Sequence, residues 1–267
     1  FINNKNGTFT DMTKQMTRQI EFYGMGVDVN DINNDGLPDI GVVDMATDDH
    51  FMGKTLMTSM DVKGFWYYID SLKYQYQYMF NALQLNNGNN TFSNIANLAH
   101  VAKSEWSWAS LFFDADNDGF KDYFISNGFK RYARDNDFRN EMERIRKENG
   151  GSVPMSMRKE MYEKMPSFKL SNYMGKNNGH IAFDNVAEEW GLAEPSGSNG
   201  AAYGDLDNDG DLDLLVNNID DEAFVYKNTA ADRKENNFLN ISLKHDKPTE
   251  NTKVYAVAGN DIYSQEL

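Results

Sequence analysis

The sequence predicts an all-β chain of β-propeller-like blades interrupted by α-helical insertions. Two observations lead there. An acidic nine-residue stretch occurs three times, as DINNDGLPD (31–39), DADNDGFKD (114–122) and DLDNDGDLD (205–213), each between short strand-like runs. Out of phase with it recurs an extended segment folded around an Asn/Gly turn: FINNKNGTFTDM (1–12), LQLNNGNNTFSNI (83–95) and YMGKNNGHIAFDNV (173–186). Apolar alternation around Asn-Gly is the strongest short-range hairpin signal. A unit of hairpin, strand, acidic loop and strand that returns at long intervals reads as four-stranded blades.

The elements follow in order. After the first hairpin, YGMGVDVN leads into the loop at 31–39 and IGVVDM leaves it. Residues 50–80 read as an insertion; eight of the sixteen residues of FWYYIDSLKYQYQYMF are aromatic. Tyr74, Tyr76 and Tyr78 alternate there, so one strand face is tyrosine-rich, suited to sugars, to a partner protein or to the insertion's own blade. The second hairpin and WSWASLFF precede the loop at 114–122, with Trp106 and Trp108 read as packing residues, and YFISNG follows it. Residues 130–166 form a second insertion. DFRNEMERIRKE has helical apolar spacing at Phe138, Met142 and Ile145; NGGSVP (149–154) breaks that pattern and MSMRKEMYEKM resumes it. Residues 130–164 hold ten Lys/Arg, among them Arg131, Arg134, Arg139, Arg144 and Arg146, against seven Asp/Glu, a solvated helix face or a docking element. The third hairpin, SNGAAYG, the loop at 205–213, LLVNN and the shortened FVYKN (224–228) complete the series. The asparagines of NGT (6–8), NNT (89–91) and NIS (240–242) read as turn formers ahead of glycan acceptors.

Composition removes several function classes. The 267 residues carry 41 Asp+Glu against 26 Lys+Arg, a net charge of −15, which speaks against a nucleic-acid surface and suits cation binding. The absence of cysteine excludes disulfides, thiolate metal sites and cysteine nucleophiles. No apolar run reaches the roughly 18 residues of a membrane span. No signal peptide is visible, and the chain begins inside a repeat, which points to a longer precursor. His50, His100, His180 and His245 lack zinc-site spacing, and no nucleotide-binding glycine loop, nucleophile elbow or catalytic triad is visible.

The acidic loops carry the chemistry. Asp31, Asn33, Asp35 and Asp39 occupy positions 1, 3, 5 and 9 of the first; Asp114, Asp116, Asp118 and Asp122 those of the second; Asp205, Asp207, Asp209 and Asp213 those of the third. Gly36, Gly119 and Gly210 at position 6 permit a sharp turn, and Leu37, Phe120 and Asp211 at position 7 would offer backbone carbonyls. Side chains at 1, 3 and 5 of such a turn converge on one point. An all-oxygen set of this size suits Ca²⁺ over Mg²⁺. The eleven ligand carboxylates repel one another until a cation neutralises them. The loops lack the position-12 glutamate and helical flanks of an EF-hand. About three calcium ions are expected, acting as the staple that disulfides would otherwise supply.

These residues resemble the FG-GAP/VCBS repeat family of integrin-α-like β-propellers, and more closely its bacterial ASPIC/UnbV (cartilage acidic protein-like) members. The resemblance rests on NALQLNNGNNTFSNIANLAHVAKSEWSWASLFFDADNDGFKDYFISNG (81–128) and NNGHIAFDNVAEEWGLAEPSGSNGAAYGDLDNDGDLDLLVNN (177–218), and with the first repeat covers most of residues 1–230. Two departures stand out: Phe80 where the family usually has arginine before N-x-L, and Asn33 in place of a loop aspartate. The resemblance implies a propeller portion over 1–232 and, at 233–267, the first strands of an ASPIC/UnbV-like β domain cut short. It also implies an exported protein, often a lipid-anchored one at the outer membrane.

The function expected is therefore binding or scaffolding at the cell surface, without catalysis: recognition of a protein or glycan partner, as in an accessory subunit of an outer-membrane uptake or adhesion complex. The rival is a polysaccharide-active enzyme, which would need a carboxylate pair about 5–10 Å apart outside the calcium loops.

Overall fold

The computed structural model describes residues 1–55, 62–132, 135–233, 236–239, 241–242, 252–259 and 261–266. Parts of the insertion at 50–80, Arg134 in the insertion at 130–166, His245, Asn240 and much of the tail at 233–267 lie outside the described residues. Strand outweighs helix, and the strands form several separate, mostly antiparallel sheets.

The chain opens with the hairpin β1 (Ile2–Asn3) and β2 (Phe9–Thr10), the short helix α1 (Thr13–Met16) and β3 (Gln19–Glu21). A first sheet follows in the order β4 (Val27–Asn30), β5 (Asp39–Val42), β8 (Ala82–Asn86) and β9 (Phe92–Asn94). Between β5 and β8 run β6 (Met45–Ala46), the helices α2 (His50–Thr55) and α3 (Val62–Trp66), a π-turn at Tyr67–Ser71 and β7 (Tyr76–Tyr78). The second sheet repeats that order with β10 (Glu105–Phe113), β11 (Asp122–Asn127), β12 (Tyr173–Asn177) and β13 (Phe183–Asn185). Its β11–β12 connection carries α4 (Asn136–Glu148) and α5 (Met155–Lys164). The third has three strands, β14 (Ser198–Gly204), β15 (Asp213–Asn218) and β16 (Phe224–Tyr226), with a short β15–β16 link. The helix α6 (Ala230–Arg233) and the hairpin of β17 (Lys253–Ala258) and β18 (Asp261–Glu266) follow.

Each acidic loop thus joins the first two strands of a sheet, and both insertions leave from the same point, between the second strand and the third. Their structural limits are wider than their composition indicates. The first departs at Val43, because Met45 and Ala46 cross to the next sheet and pair with Trp106 and Glu105 at its edge. The second departs at Gly128, where Phe129 bridges Phe168 and Leu170 bridges Ser196. In α4, Ile145 is buried as its spacing requires, and the Asp135 carboxylate caps the helix by accepting from the Phe138 N–H at 2.7 Å.

The core lies between neighbouring sheets and follows the period of two along a strand. Phe112, Tyr123 and Ile125 face the first sheet and pack with Ile32, Val43 and Leu83. Their neighbours Phe113 and Phe124 face the third, packing with Leu214 and Val216. All six residues of β11 are buried, as a central strand covered on both faces demands. Trp106 is buried against Met45 and Tyr132 and stacks on Phe129 with centroids 4.3 Å apart. Gly41 is fixed by this packing: a Cβ there would lie 2.6 Å from the Phe112 ring. Gly41→Ala is expected to cost about 1–3 kcal/mol by overpacking. A thermal melt equal to that of the unaltered protein would contradict the packing of β5 on Phe112.

Candidate metal centres

The three loops share one hydrogen-bond scheme. At position 1, Asp31 accepts from the N–H groups of Asp35 (3.1 Å) and Gly36 (2.8 Å). Asp205 does so from Asp209 and Gly210 (both 3.2 Å), and Asp114 from Gly119 (2.9 Å). At position 5, Asp35, Asp118 and Asp209 accept from the N–H of the position-7 residue, at 2.8, 2.9 and 3.3 Å. These bonds curl the backbone around its own carboxylates. Position 6 has φ of 83°, 92° and 97° in Gly36, Gly119 and Gly210, values that only glycine adopts freely.

Position 9 acts as a latch. One oxygen of Asp39, Asp122 and Asp213 accepts from the N–H at position 2 of its loop (Ile32 at 3.1 Å, Ala115 at 3.0 Å, Leu206 at 3.0 Å). The other accepts from Asn86 or Asn177 at the end of the third strand, or from Asn228 two residues past it, at 2.8, 2.9 and 2.8 Å. The three carboxylates are buried, and each ties its loop to its sheet.

The carboxylates converge in part. Oxygens of Asp114, Asp116 and Asp122 lie within 4.8 Å of one another, as do those of Asp205, Asp207 and Asp209. Asp118 stands outside the first trio and Asp213 outside the second; among the described residues Asp31, Asp35 and Asp39 of the first loop form no such trio. In that loop the Asn33 amide donates to Asp35 at 2.9 Å. Burial raises the carboxyl groups of Asp39 and Asp114 to about 6 and that of Asp122 to about 8, aided by neighbouring aspartates. Asp118 and Asp211 are raised as well, first by burial. The buried Oδ1 atoms of Asp114 and Asp211 have no hydrogen-bond partner.

At position 7 the side chains brace the loop. A Cβ on Gly88 would lie 3.3 Å from Leu37, and one on Gly179 2.7 Å from the Phe120 ring, so both apolar side chains press on the hairpin turn of their own sheet. Among the described residues the third sheet has no such hairpin, and Asp211 instead accepts from the Ala231 N–H at 2.9 Å.

Two features escaped the sequence reading. Lys176 and Lys227, one residue before the latched asparagines, hold the outer oxygens of positions 3 and 5. Lys176 pairs with Asp116, and with Asp118 at 3.7 Å; Lys227 pairs with Asp207, and with Asp209 at 3.4 Å. Burial pulls the Lys176 ammonium down, but its pairing with Asp116 leaves it raised overall; Lys227 is raised by its hydrogen bond to Asp207, whose carboxyl is lowered in turn. The matching residue of the first sheet is Leu85. The second and third loops, the more acidic two, each have such a lysine against them, and the first, with three acids, has none. The KN pairs before the turn were the available signal. The second feature is Asn34, Asn117 and Asn208 at position 4, with φ of 56°, 58° and 61°. Asn34 donates to the Gly119 carbonyl at 3.0 Å and Asn117 to that of Gly210 at 3.2 Å, so successive loops are linked edge to edge.

The tail crosses this face. Phe238 and Tyr263 lie over Gly210 and Gly119, where a Cβ would collide with either ring, and the Ser264 hydroxyl donates to Asp31 at 3.4 Å. Neither a protein-family model nor a curated protein matches the chain.

Proposed function

We propose that the chain is a calcium-stapled β-propeller portion of the FG-GAP/VCBS, ASPIC/UnbV-like kind, acting as a non-catalytic binding scaffold at a bacterial cell surface. The observation that carries the reading is the common loop scheme: three loops curl through one pattern of hydrogen bonds, and in two of them three carboxylates converge. The donor set fits a hard cation. All the acidic ligands are oxygens, and the buried Oδ1 of Asp114 lacks a partner that a cation would supply. Positions 1, 3 and 5 would hold the ion, with Asp122 added in the second loop; it would supply charge neutralisation and rigidity. The chain's own part is to latch the loops through position 9 and link them through position 4. Among the described residues no helix is long and apolar enough to cross a membrane. The partner is proposed to be a protein or glycan, reached as part of an outer-membrane assembly. Calcium titration calorimetry on the chelator-stripped protein is expected to return about three ions per chain; no heat of binding would sink the reading.

The lysines make a further prediction. Lys176 competes with a cation for the outer oxygens of Asp116 and Asp118. Lys176→Met is expected to tighten calcium at the second loop by about fivefold, since a partly exposed pair contributes about 1 kcal/mol. Calorimetry resolves this, and an unchanged affinity would place Lys176 outside the calcium equilibrium.

A further inference from the structure

The parallel pairing of β3 with β7 sets Gln19 opposite Tyr76 and brings the turn at 13–18 against the aromatic insertion. Between this pair and the β8–β9 hairpin opens a groove of about 810 Å³. Lys14, Arg18, Gln15, Gln75, Tyr76 and Phe92 line it, with hydroxyls and amides from the hairpin. Among the described residues no carboxylate lines it, although the chain carries a net charge of −15. Arg18 is exposed and makes no ion pair with a described residue. Lys14 donates to the Lys73 carbonyl, which leaves two of its three donors. The Gln75 amide, held by the Thr17 carbonyl at 2.7 Å, keeps its oxygen toward other partners. Tyr76 is 41% exposed, and its ring continues into Phe65 at 6.4 Å. Met16 is the one aliphatic side chain among the lining residues, whereas a protein interface depends on buried apolar anchors.

We infer that this groove binds an acidic oligosaccharide, with uronate carboxylates on Arg18 and Lys14, ring faces on Tyr76 and Phe92, and hydroxyls on the glutamine amides. Cations meet carboxylates, planar amides meet vicinal hydroxyls, and aromatic faces meet the C–H faces of pyranose rings. The inference deepens the proposed cell-surface binding role and rests on it, but uses no residue of the acidic loops.

The test is titration calorimetry of the calcium-loaded chain with hyaluronan and oligogalacturonate hexasaccharides, their carboxyl-reduced counterparts, and an Asp/Glu hexapeptide. At least one uronate is expected to bind. Its affinity is expected to fall about tenfold on carboxyl reduction, with Arg18→Gln and with Tyr76→Ala, the loss of one charged hydrogen bond or one stacking face. Arg18 is exposed, so Arg18→Gln keeps the fold even if Tyr76→Ala weakens β7. The groove assignment is overturned if neither uronate binds, if Arg18→Gln leaves binding unchanged, or if the hexapeptide binds as tightly. Protein that takes up calcium but ignores every saccharide overturns the groove alone; saccharide binding by protein that takes up no calcium overturns the calcium scaffold alone.

Discussion

Stripping divalent cations is expected to lower the melting temperature by about 8–16 °C relative to protein in several millimolar calcium. Calcium modules of extracellular type bind at roughly 10⁻⁴ to 10⁻³ M, and a site at about ten times its dissociation constant adds about 1.4 kcal/mol. Three such sites add about 4 kcal/mol, and a domain of this size shifts by about 2–4 °C per kcal/mol. The shift is also expected to grow with pH. Asp39 and Asp114 are raised from 3.8 to about 6 and Asp122 to about 8 in the ion-free fold. Groups raised in the fold favour the folded state fully below their unfolded value and lose that contribution as pH climbs through the folded one. Ion-free protein therefore weakens between about pH 4 and 8 as these carboxylates are forced to ionise, while a bound cation stabilises the ionised form. Scanning calorimetry at pH 5 and pH 8, with and without chelator, measures both effects. A chelator that leaves the midpoint in place at pH 8 would end the calcium staple.

The second large effect separates the latch from the ligand. Asp122→Ala is expected to destabilise the protein by about 3 kcal/mol or more even in chelator. It removes the acceptor of two buried N–H groups, those of Ala115 and Asn177, and each orphaned donor costs about 1–3 kcal/mol. Asp116→Asn removes a carboxylate that accepts from the Asp118 N–H at a long 3.3 Å and pairs with Lys176. Its cost in chelator is expected to stay within about 1 kcal/mol, while the calcium gain shrinks by about one third. Denaturant melts of both variants, with and without calcium, give the four values. Equal losses in chelator would mean that position 9 has no latching role beyond its place among the ion's ligands. Asp39 and Asp213 hold the equivalent pairs of N–H groups in their own loops, so their alanine variants are expected to lose as much.

Much of the candidate site was legible in advance. Asp114, Asp116 and Asp122 do gather, as do Asp205, Asp207 and Asp209, because a turn of fixed length closed by glycine leaves its carboxylates little choice. The hairpins at 1–12, 83–95 and 173–186 form where their Asn-Gly turns place them, and Asn6 and Asn89 take the turn role read for them, each accepting from the threonine two residues on. The latch was not legible. Position 9 reads as closing the ligand shell, and only the fold shows that its oxygens also accept from N–H groups 7 residues back in the loop and, for Asp122, 55 residues ahead in β12.

Strand alternation, turn chemistry, the α4 and α5 helices and the spacing of acids within each loop depend on near neighbours and can be read along the chain. Tertiary structure decided the rest. It set β6 on the edge of the second sheet, paired β7 with β3, brought Lys176 and Lys227 onto the acids and joined Asn34 to Gly119. Local patterns follow from the backbone's own periods and the residue's own φ preferences. Which distant segments meet follows from how whole sheets bury Phe112 and Phe113 on opposite faces, and no window of neighbouring residues encodes that.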